Sequence, residues 1–466
     1  MVPAEVSYLW EQILQHTTRF FTADALGVLN QARVLFVSYK EALNIREPAV
    51  AIPVDINSPL RPADPYKALF NGTEITLWNG LPKPQGEGWS AFPNAIAPVW
   101  YRHQTGTLIP AWNIFPNLFN LLTLREERES TLRDAHGRFV AGMSPRYAPG
   151  LLEVPAFNEA VAVLVASCLG LCKDGYPRFT LNDLIKPPAV ILSHDNDILR
   201  GNDFWTQSVR FLRIFQPLIR GRMPNIKNIW WILRNALHPK SFYLDNIAGI
   251  IDIEGMLGVN STFYFLNGTG GRFCARSGPE LIPEARKNIP SGWDIGIHYN
   301  YDTLLDADRF SAQLQELKSA AGGQIISGRA HYLRFDPEKS FSYLSSMGIC
   351  CDETVGYSDC IGYRCGIAGP FQPYDPAAGK ALNLWEVPLV IMDGTLMNQY
   401  SIKAPQVFRN MMSHISKVGG AISLLCHPGL FFNPEFPEMR GVYRRLLGVA
   451  RDFNAPGMSA LSIIGH

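Results

Sequence analysis

The chain has 466 residues, enough for two or three domains, and 47% of them are hydrophobic, as in soluble globular proteins. Its 42 Lys and Arg nearly balance 41 Asp and Glu, so the formal net charge of +1 argues against nucleic acid as a partner. The N-terminus has neither a basic start nor a long apolar core, which indicates no signal peptide, and we expect a cytoplasmic protein.

Two domains are predicted. A polar, proline-containing stretch from Asp174 to Pro188 has the composition of a boundary, so we expect a smaller N-terminal α/β domain over residues 1–185 and a larger domain over residues 186–466. The apolar run from Ala160 to Cys172 is about 13 residues long, too short to cross a bilayer, and predicts a buried helix. Eight cysteines occur without any CxxC spacing, so reduced thiols are expected.

Two segments stand out by their charge. The run from Arg125 to Glu129 is typical of a solvated helix face and leads into the segment from Asp134 to Phe139. Between Phe204 and Leu244 there is no acidic residue, while seven Lys and Arg alternate with aromatic residues. We interpret this stretch as an amphipathic helical insert that packs its aromatic residues on the main domain. The alternative is contact with a phosphate-bearing substrate or a membrane surface through residues 205–240.

The second domain contains short apolar runs separated by longer amphipathic segments. Each run is short, apolar and bounded by turn-forming residues, as in buried strands. Alternation of strands and helices predicts a parallel sheet or barrel of the α/β class. The candidate strands are Ala189–Leu192, Thr262–Leu266, Asp294–Ile297, Gln324–Ile326 and Ala421–Leu425.

The first of these runs ends in two carboxylates, Asp195 and Asp197, one residue apart. At the carboxyl end of a parallel strand they would face the mouth where α/β folds bind ligands. Burying two like charges there is costly unless a cation or a proton shares the site. The competing interpretation is a strand-end turn in which these residues cap the next helix.

Other strand-like runs also end in polar residues that suit catalysis or metal binding. His298 follows the third run, and Asp302 lies four residues later, on the same face if the segment is helical. Arg329 and His331 follow the fourth run, and His427 follows the fifth. Any one of these residues has a structural explanation, but barrel enzymes assemble their sites from several strand ends in this way.

The order and spacing of these motifs, over about residues 186–466, resemble those of the polysaccharide deacetylase family, carbohydrate esterase family four. The resemblance implies a distorted (β/α) barrel, here preceded by the smaller N-terminal domain. The string Gly362 to Gly366 and the segment Asp134 to Phe139 resemble a bacterial subgroup with such an extra domain. Members of that subgroup are associated with surface-polysaccharide pathways.

The resemblance implies a role for each residue of the metal site. Asp195 corresponds to the general base and Asp197 to a metal ligand. His298 corresponds to a second ligand. The family usually has another His four residues further on, where this chain has Asp302. Three alternatives follow: Asp302 takes that place, His331 supplies the third ligand, or the metal is held weakly.

Further roles follow from the same resemblance. Arg329 corresponds to the arginine that orients the base, and His427 to the general acid. Asp352 and Asp359 lie where the family places the carboxylate that holds this histidine.

Three residues are expected to contact the substrate: Tyr299, Tyr332 and Arg364. The implied activity is metal-dependent removal of an N-acyl group, usually N-acetyl, from an amino sugar in a surface-polysaccharide or glycoconjugate pathway. Zinc is the favoured ion, with manganese, cobalt or magnesium as alternatives. The expected partner is an N-acylated sugar, nucleotide- or lipid-linked if the enzyme is cytoplasmic or membrane-associated. Two alternatives remain: a degenerate barrel that binds carbohydrate without cleaving it, and a metal-dependent amidase acting on a non-sugar amide.

Overall fold

The computed structural model describes residues 3–466 except 56–58, 60, 94–96, 173–178, most of 203–241, 276–277 and 432–437. The segment 205–240, for which a packed helical insert is predicted with membrane or substrate contact as the alternative, thus lies largely outside the described residues. No helix in the described part of the chain is both long and apolar enough to cross a membrane.

The strands are β1 Val34–Val37, β2 Val50–Pro53, β3 Tyr66–Phe70, β4 Thr73–Leu77, β5 Trp89–Phe92, β6 Trp100–His103, β7 Leu108–Pro110, β8 Ala189–Asn196, β9 Thr262–Phe265, β10 Asp294–Tyr299, β11 Ser327–Ala330, β12 Cys351–Asp352, β13 Tyr374–Asp375, β14 Lys380–Ala381, β15 Trp385–Glu386, β16 Ile391–Met392, β17 Ala421–Leu425 and β18 Gly457–Met458. The α-helices are Pro3–Phe20, Ala23–Gln31, Tyr39–Ala42, Ile114–Leu122, Arg125–Arg128, Ala156–Leu171, Leu181–Leu184, Phe242–Met256, Ile282–Asn288, Ala307–Ala321, Ser340–Ser346, Asp393–Tyr400, Ala404–Val418, Met439–Asp452 and Ala460–Ile464.

The N-terminal part contains a mixed sheet in the order β1-β2-β7-β6-β5, in which β1, β2 and β7 are parallel and β5 and β6 are antiparallel. A separate hairpin joins β3 to β4. The helix Ala156–Leu171 is buried over most of its length, which confirms the buried helix predicted from its apolar run. One hydrophobic cluster contains residues from both parts of the chain, and the boundary at residue 185 stays a prediction.

The larger sheet follows the order β15-β12-β11-β10-β9-β8-β17-β16, with β18 also paired to β8, and every pairing in it is parallel. The α/β class predicted from alternating strands and helices is confirmed. Strands buried on both faces need apolar residues throughout, and every residue of β8 is buried. This is why the apolar runs ending near Leu192, Phe265 and Leu425 could be recognised as strands.

The larger sheet is curled rather than flat. A flat sheet of eight strands would hold its two edges about 34 Å apart, since neighbouring strands are spaced by roughly 4.8 Å. The edge strands β15 and β16 are joined by only the residues from Val387 to Val390, and a connection of that length spans at most about 18 Å. The edges therefore approach each other, as in an incomplete (β/α) barrel, and the carboxyl ends of the strands meet around one mouth.

The predicted solvated face accounts for only part of the charge run at residues 125–129: Arg125, Arg128 and Glu129 are exposed, but the two glutamates between Arg125 and Arg128 are not. Glu127 is fully buried, and its carboxylate receives two hydrogen bonds of 2.6 Å from the guanidinium of Arg364. Glu126 likewise pairs with the buried Arg146 at 2.9 Å. These acidic residues compensate buried arginines, one of which lies 237 positions away.

Candidate active site

Five polar side chains meet where parallel strands of the larger sheet end. Asp195 lies near the end of β8, and Asp197 follows that strand directly. His298 lies on β10, His331 comes directly after β11, and His427 lies two residues beyond β17. Because these strands run in the same direction, residues from four segments of the chain converge at the carboxyl-terminal end of the sheet.

Asp197, His298 and His331 form a group suited to a metal ion, since one potential ligand atom from each lies within 4.8 Å of the others. Asp197 Oδ1 is 3.2 Å from Nε2 of His298 and 3.9 Å from Nε2 of His331. That oxygen is buried and, apart from its 3.2 Å contact with His298, has no hydrogen-bond partner, as expected of an atom that binds a cation. His298 donates from Nδ1 to the Arg329 carbonyl at 3.0 Å, which leaves Nε2 to face Asp197.

The alternative third ligand, Asp302, lies outside this group. Its Oδ2 accepts a hydrogen bond from the backbone amide of Arg272. The helical spacing assumed for His298 and Asp302 does not exist, because β10 continues to Tyr299 and a short 3₁₀ turn begins at Tyr301. In an extended strand, residues four apart do not converge as they would on a helix.

Asp195 is held by a buried arginine. Arg329 donates from Nη1 to Asp195 Oδ1 at 2.8 Å and from Nη2 to Ser193 Oγ at 2.8 Å. Its Nε donates to the Glu353 carbonyl at 3.0 Å, and the Glu353 carboxylate lies 3.3 Å from Nη2. Four contacts thus orient the guanidinium, and Glu353, which the sequence analysis did not identify, balances part of its charge. The Glu353 carboxylate also accepts from the hydroxyl of Tyr264 at 2.6 Å.

Charge controls the protonation of this group. Burial raises the pKa of Asp195, but the Arg329 guanidinium and the His298 imidazole outweigh burial and hold that pKa below its usual value. Burial also raises the pKa of Asp197, but His298 and His331 outweigh burial and hold this pKa, too, below its usual value. Burial lowers the pKa of His331 to about 4, so its imidazole is neutral near pH 7, the state in which it can bind a metal.

His427 also lies near Asp195, with its Nε2 at 4.0 Å from Asp195 Oδ2. Its Nδ1 donates to Asp393 Oδ1 at 2.8 Å, and its backbone amide donates to Asp393 Oδ2 at 2.6 Å. Burial lowers the pKa of His427, but the fully buried Asp393 outweighs it and raises this pKa to about 10. The imidazole is therefore protonated near neutral pH.

The prediction that Asp352 or Asp359 holds His427 is wrong, because Asp393 has that position. Asp352 is fully buried and accepts from the Tyr299 hydroxyl at 3.1 Å. Asp359 accepts from the backbone amide of Ala141 at 3.1 Å. The sequence did carry a signal for Asp393, which ends the run Val390-Ile391-Met392 as the other polar residues end theirs. That strand is only two residues long, and the run was not recognised.

Of the three residues expected to contact the substrate, two are buried and one is partly exposed. Tyr299 is buried, and its hydroxyl bonds to Thr354 Oγ1 at 2.8 Å, so it does not face the mouth. Arg364 is also buried, paired to Glu127, and lines a separate cavity of about 30 Å³, room for about one water molecule. Tyr332 is partly exposed and adjoins His331, with 4.7 Å between their ring centroids.

A cleft opens at this carboxyl-terminal end of the sheet. Its volume of about 360 Å³ is within the usual range of small-molecule sites. Asp195, Asp197 and His427 line it together with apolar side chains such as Met392 and Leu430. The cleft is thus lined by a carboxylate fixed by an arginine, by the carboxylate of the candidate metal-binding group and by a protonated imidazole.

Comparison with solved structures finds partial similarity. No family model matches the chain, and no curated protein matches it. A solved structure described as a polysaccharide deacetylase from Mycobacterium smegmatis is 20% identical over 60% of this chain and 89% of that chain, with a TM-score of 0.38. A peptidoglycan N-acetylglucosamine deacetylase is 11% identical over 59% of this chain and 87% of that chain, with a TM-score of 0.29.

A third similar structure is a mutant of a pseudoenzyme of carbohydrate esterase family four with restored activity. It is 12% identical over 62% of this chain and 75% of that chain, with a TM-score of 0.27. At these identities the likeness concerns the fold alone.

Proposed function

We propose that this chain is a metal-dependent hydrolase that removes an N-acyl group, foremost N-acetyl, from an amino sugar of a surface polysaccharide or glycoconjugate. One observation carries the proposal: Asp195 lies between a candidate metal-binding group and a protonated histidine, 3.8 Å from Nε2 of His298 and 4.0 Å from Nε2 of His427. Amide hydrolysis needs a base for water and an acid for the leaving amine, and this arrangement provides both at one cleft.

Asp197, His298 and His331 would hold the ion. One carboxylate and two imidazoles suit zinc, and three protein ligands are typical of catalytic zinc sites. The buried Asp197 Oδ1, which faces both imidazoles, and the neutral His331 fit this role. When bound, a divalent ion acidifies water and polarises an acyl oxygen.

Asp195 would act as the general base. Because Arg329 keeps it ionised and fixes one of its oxygens, the other oxygen, Oδ2, remains directed toward His298 and His427. A carboxylate held in this way can take a proton from water at neutral pH. A carboxylate with a lowered pKa is a weak base, but water whose own pKa is lowered by a bound ion would need only a weak base.

His427 would act as the general acid. Asp393 accepts its Nδ1 proton, which leaves the Nε2 proton facing the cleft. Loss of the amine from the tetrahedral species requires a proton on nitrogen. The protonated Nε2 of His427, 4.0 Å from Asp195 Oδ2, would supply that proton.

The experiment is a deacetylation assay. The zinc-loaded chain would be incubated with N-acetylated amino sugars, offered as free oligosaccharides and as nucleotide-linked and lipid-linked forms, and acetate release would be measured. We expect turnover on at least one of these sugars and, for Asp195→Asn, a loss of at least about 100-fold in kcat with unchanged metal content. Asp359→Asn, which changes an exposed carboxylate outside the cleft, serves as the matched control. Metal-loaded protein that releases no acetate, or an Asp195→Asn variant as active as the control, would refute the proposal.

A further inference from the structure

A short loop of the N-terminal part reaches the candidate active site. In residues 134–138, here named the arginine loop, Asp134 accepts from the backbone amides of His136 and Arg138, both at 2.9 Å. Arg138 Nε donates back to Asp134 Oδ2 at 2.9 Å. Gly137 has a φ of 76°, which only glycine adopts easily, and completes the turn. The shape of the loop is therefore held by three hydrogen bonds to the Asp134 carboxylate.

The arginine loop packs on the segment that carries His331. Arg138 Nη1 donates to the carbonyl of Tyr332 at 3.2 Å. Arg334 Nε donates in the opposite direction, to the carbonyl of His136 at 3.2 Å. The rings of His136 and Tyr332 also contact each other, with centroids 4.7 Å apart. Two hydrogen bonds and one ring contact thus join the arginine loop to Tyr332 and Arg334.

The segment that receives these contacts has an unfavourable backbone. Tyr332 has a φ of 64° and Leu333 a φ of 53°, in the left-handed region that side chains other than glycine rarely adopt. Such conformations cost of order 1–3 kcal/mol each and persist only where surrounding contacts impose them. His331 immediately precedes them, so the direction of its side chain depends on the same backbone.

We propose that Arg138 is a positioning residue for the metal site: by bonding to the Tyr332 carbonyl, it holds the backbone turn that aims His331 at Asp197. The inference rests on the proposed function, because it takes His331 as a metal ligand. It gives the N-terminal part a defined role, since the larger sheet supplies the three ligands and residues 134–138 keep one of them in place.

The test is a metal titration of the full-length protein. Co²⁺ affinity would be measured from its visible absorption bands, and Zn²⁺ affinity by competition, for the unmodified chain and Arg138→Ala. Contacts that orient a ligand are typically worth 10–100-fold in metal affinity, so we expect a loss of at least about tenfold. Arg138→Lys, which keeps one donor and the charge, should restore part of this loss.

Arg133→Ala is the matched control. Arg133 lies in the same segment and donates to the carbonyls of Glu127, Ser130 and Leu132, so its loss should perturb folding without weakening metal binding. A double-mutant cycle supplies the readout that a merely structural role would not change: in a His331→Ala background, Arg138→Ala should cause no further loss of affinity.

The outcomes separate the two proposals. Equal metal affinity of Arg138→Ala and the unmodified chain, an equal loss in Arg133→Ala, or an undiminished effect in the His331→Ala background would overturn the positioning role and leave the hydrolase proposal standing. An unmodified chain that binds no divalent ion would overturn both.

Discussion

Asp393 is the residue whose replacement tests the acid side of the site most sharply. In Asp393→Asn the negative charge beside His427 Nδ1 is lost, while burial, which lowers the pKa of this histidine, remains. The more distant Asp195 and Asp197 still favour the protonated form. We therefore expect the pKa of His427 to fall from about 10 to near the ordinary histidine value of 6.5.

The size of the effect depends on pH. A pKa of about 10 keeps His427 almost fully protonated at pH 8, whereas a pKa near 6.5 leaves roughly 3% protonated there and roughly 75% at pH 6. If His427 is the general acid, the pH-dependent part of the loss in kcat should be about 30-fold at pH 8 and less than about twofold at pH 6. If the histidine also lost its orientation, kcat would fall by the same further factor at both pH values.

The assay measures acetate release between pH 6 and pH 9, beside a nuclear magnetic resonance titration of the His427 imidazole in the metal-free chain. Protonated His427 is the active form, so the alkaline limb of the rate profile should move to lower pH in Asp393→Asn. An alkaline limb that stays in place, together with an unmoved titration of His427, would refute the reasoning.

Two further predictions concern buried charges. Glu127→Gln removes one partner of the buried pair with Arg364 and should lower the free energy of unfolding by about 3–5 kcal/mol. Glu129→Gln, which changes an exposed residue directly after the same helix, should change it by less than about 1 kcal/mol; equal effects in denaturant titrations would contradict the burial argument. Arg329→Met removes the charge that offsets the burial of Asp195, so the pKa of this carboxyl should rise. The acidic limb of the rate profile should then move to higher pH, and an unchanged limb would show that Arg329 does not control the base.

Much of the larger sheet and part of the site could be predicted from the sequence for one physical reason. Strands buried on both faces need continuous apolar runs, and the residues that end such runs face the mouth. The ends of β8, β10 and β17 show this pattern, and Asp195, His298 and His427 were found there. The pattern weakens where the strand is short, and for this reason Asp393, after the two-residue β16, was not recognised.

The remaining errors arise from partners that are distant in sequence. Nothing local to the run at residues 125–129 shows that Glu127 pairs with Arg364, 237 positions later, so a solvated face was predicted. Asp302 was considered a metal ligand because its spacing from His298 fits a helix. Only the pairing of β10 with β9 and β11 shows that this segment is extended.

The most direct test of the account is the metal content and affinity of the purified chain, by mass spectrometry of the bound element and by titration. We predict about one divalent ion per chain, lost in Asp197→Ala and His298→Ala, bound more weakly in His331→Ala, and retained with affinity within about twofold in Asp302→Asn. A chain that binds no ion after incubation with zinc, manganese or cobalt would contradict the account, and so would one whose affinity is unchanged in His331→Ala and lost in Asp302→Asn.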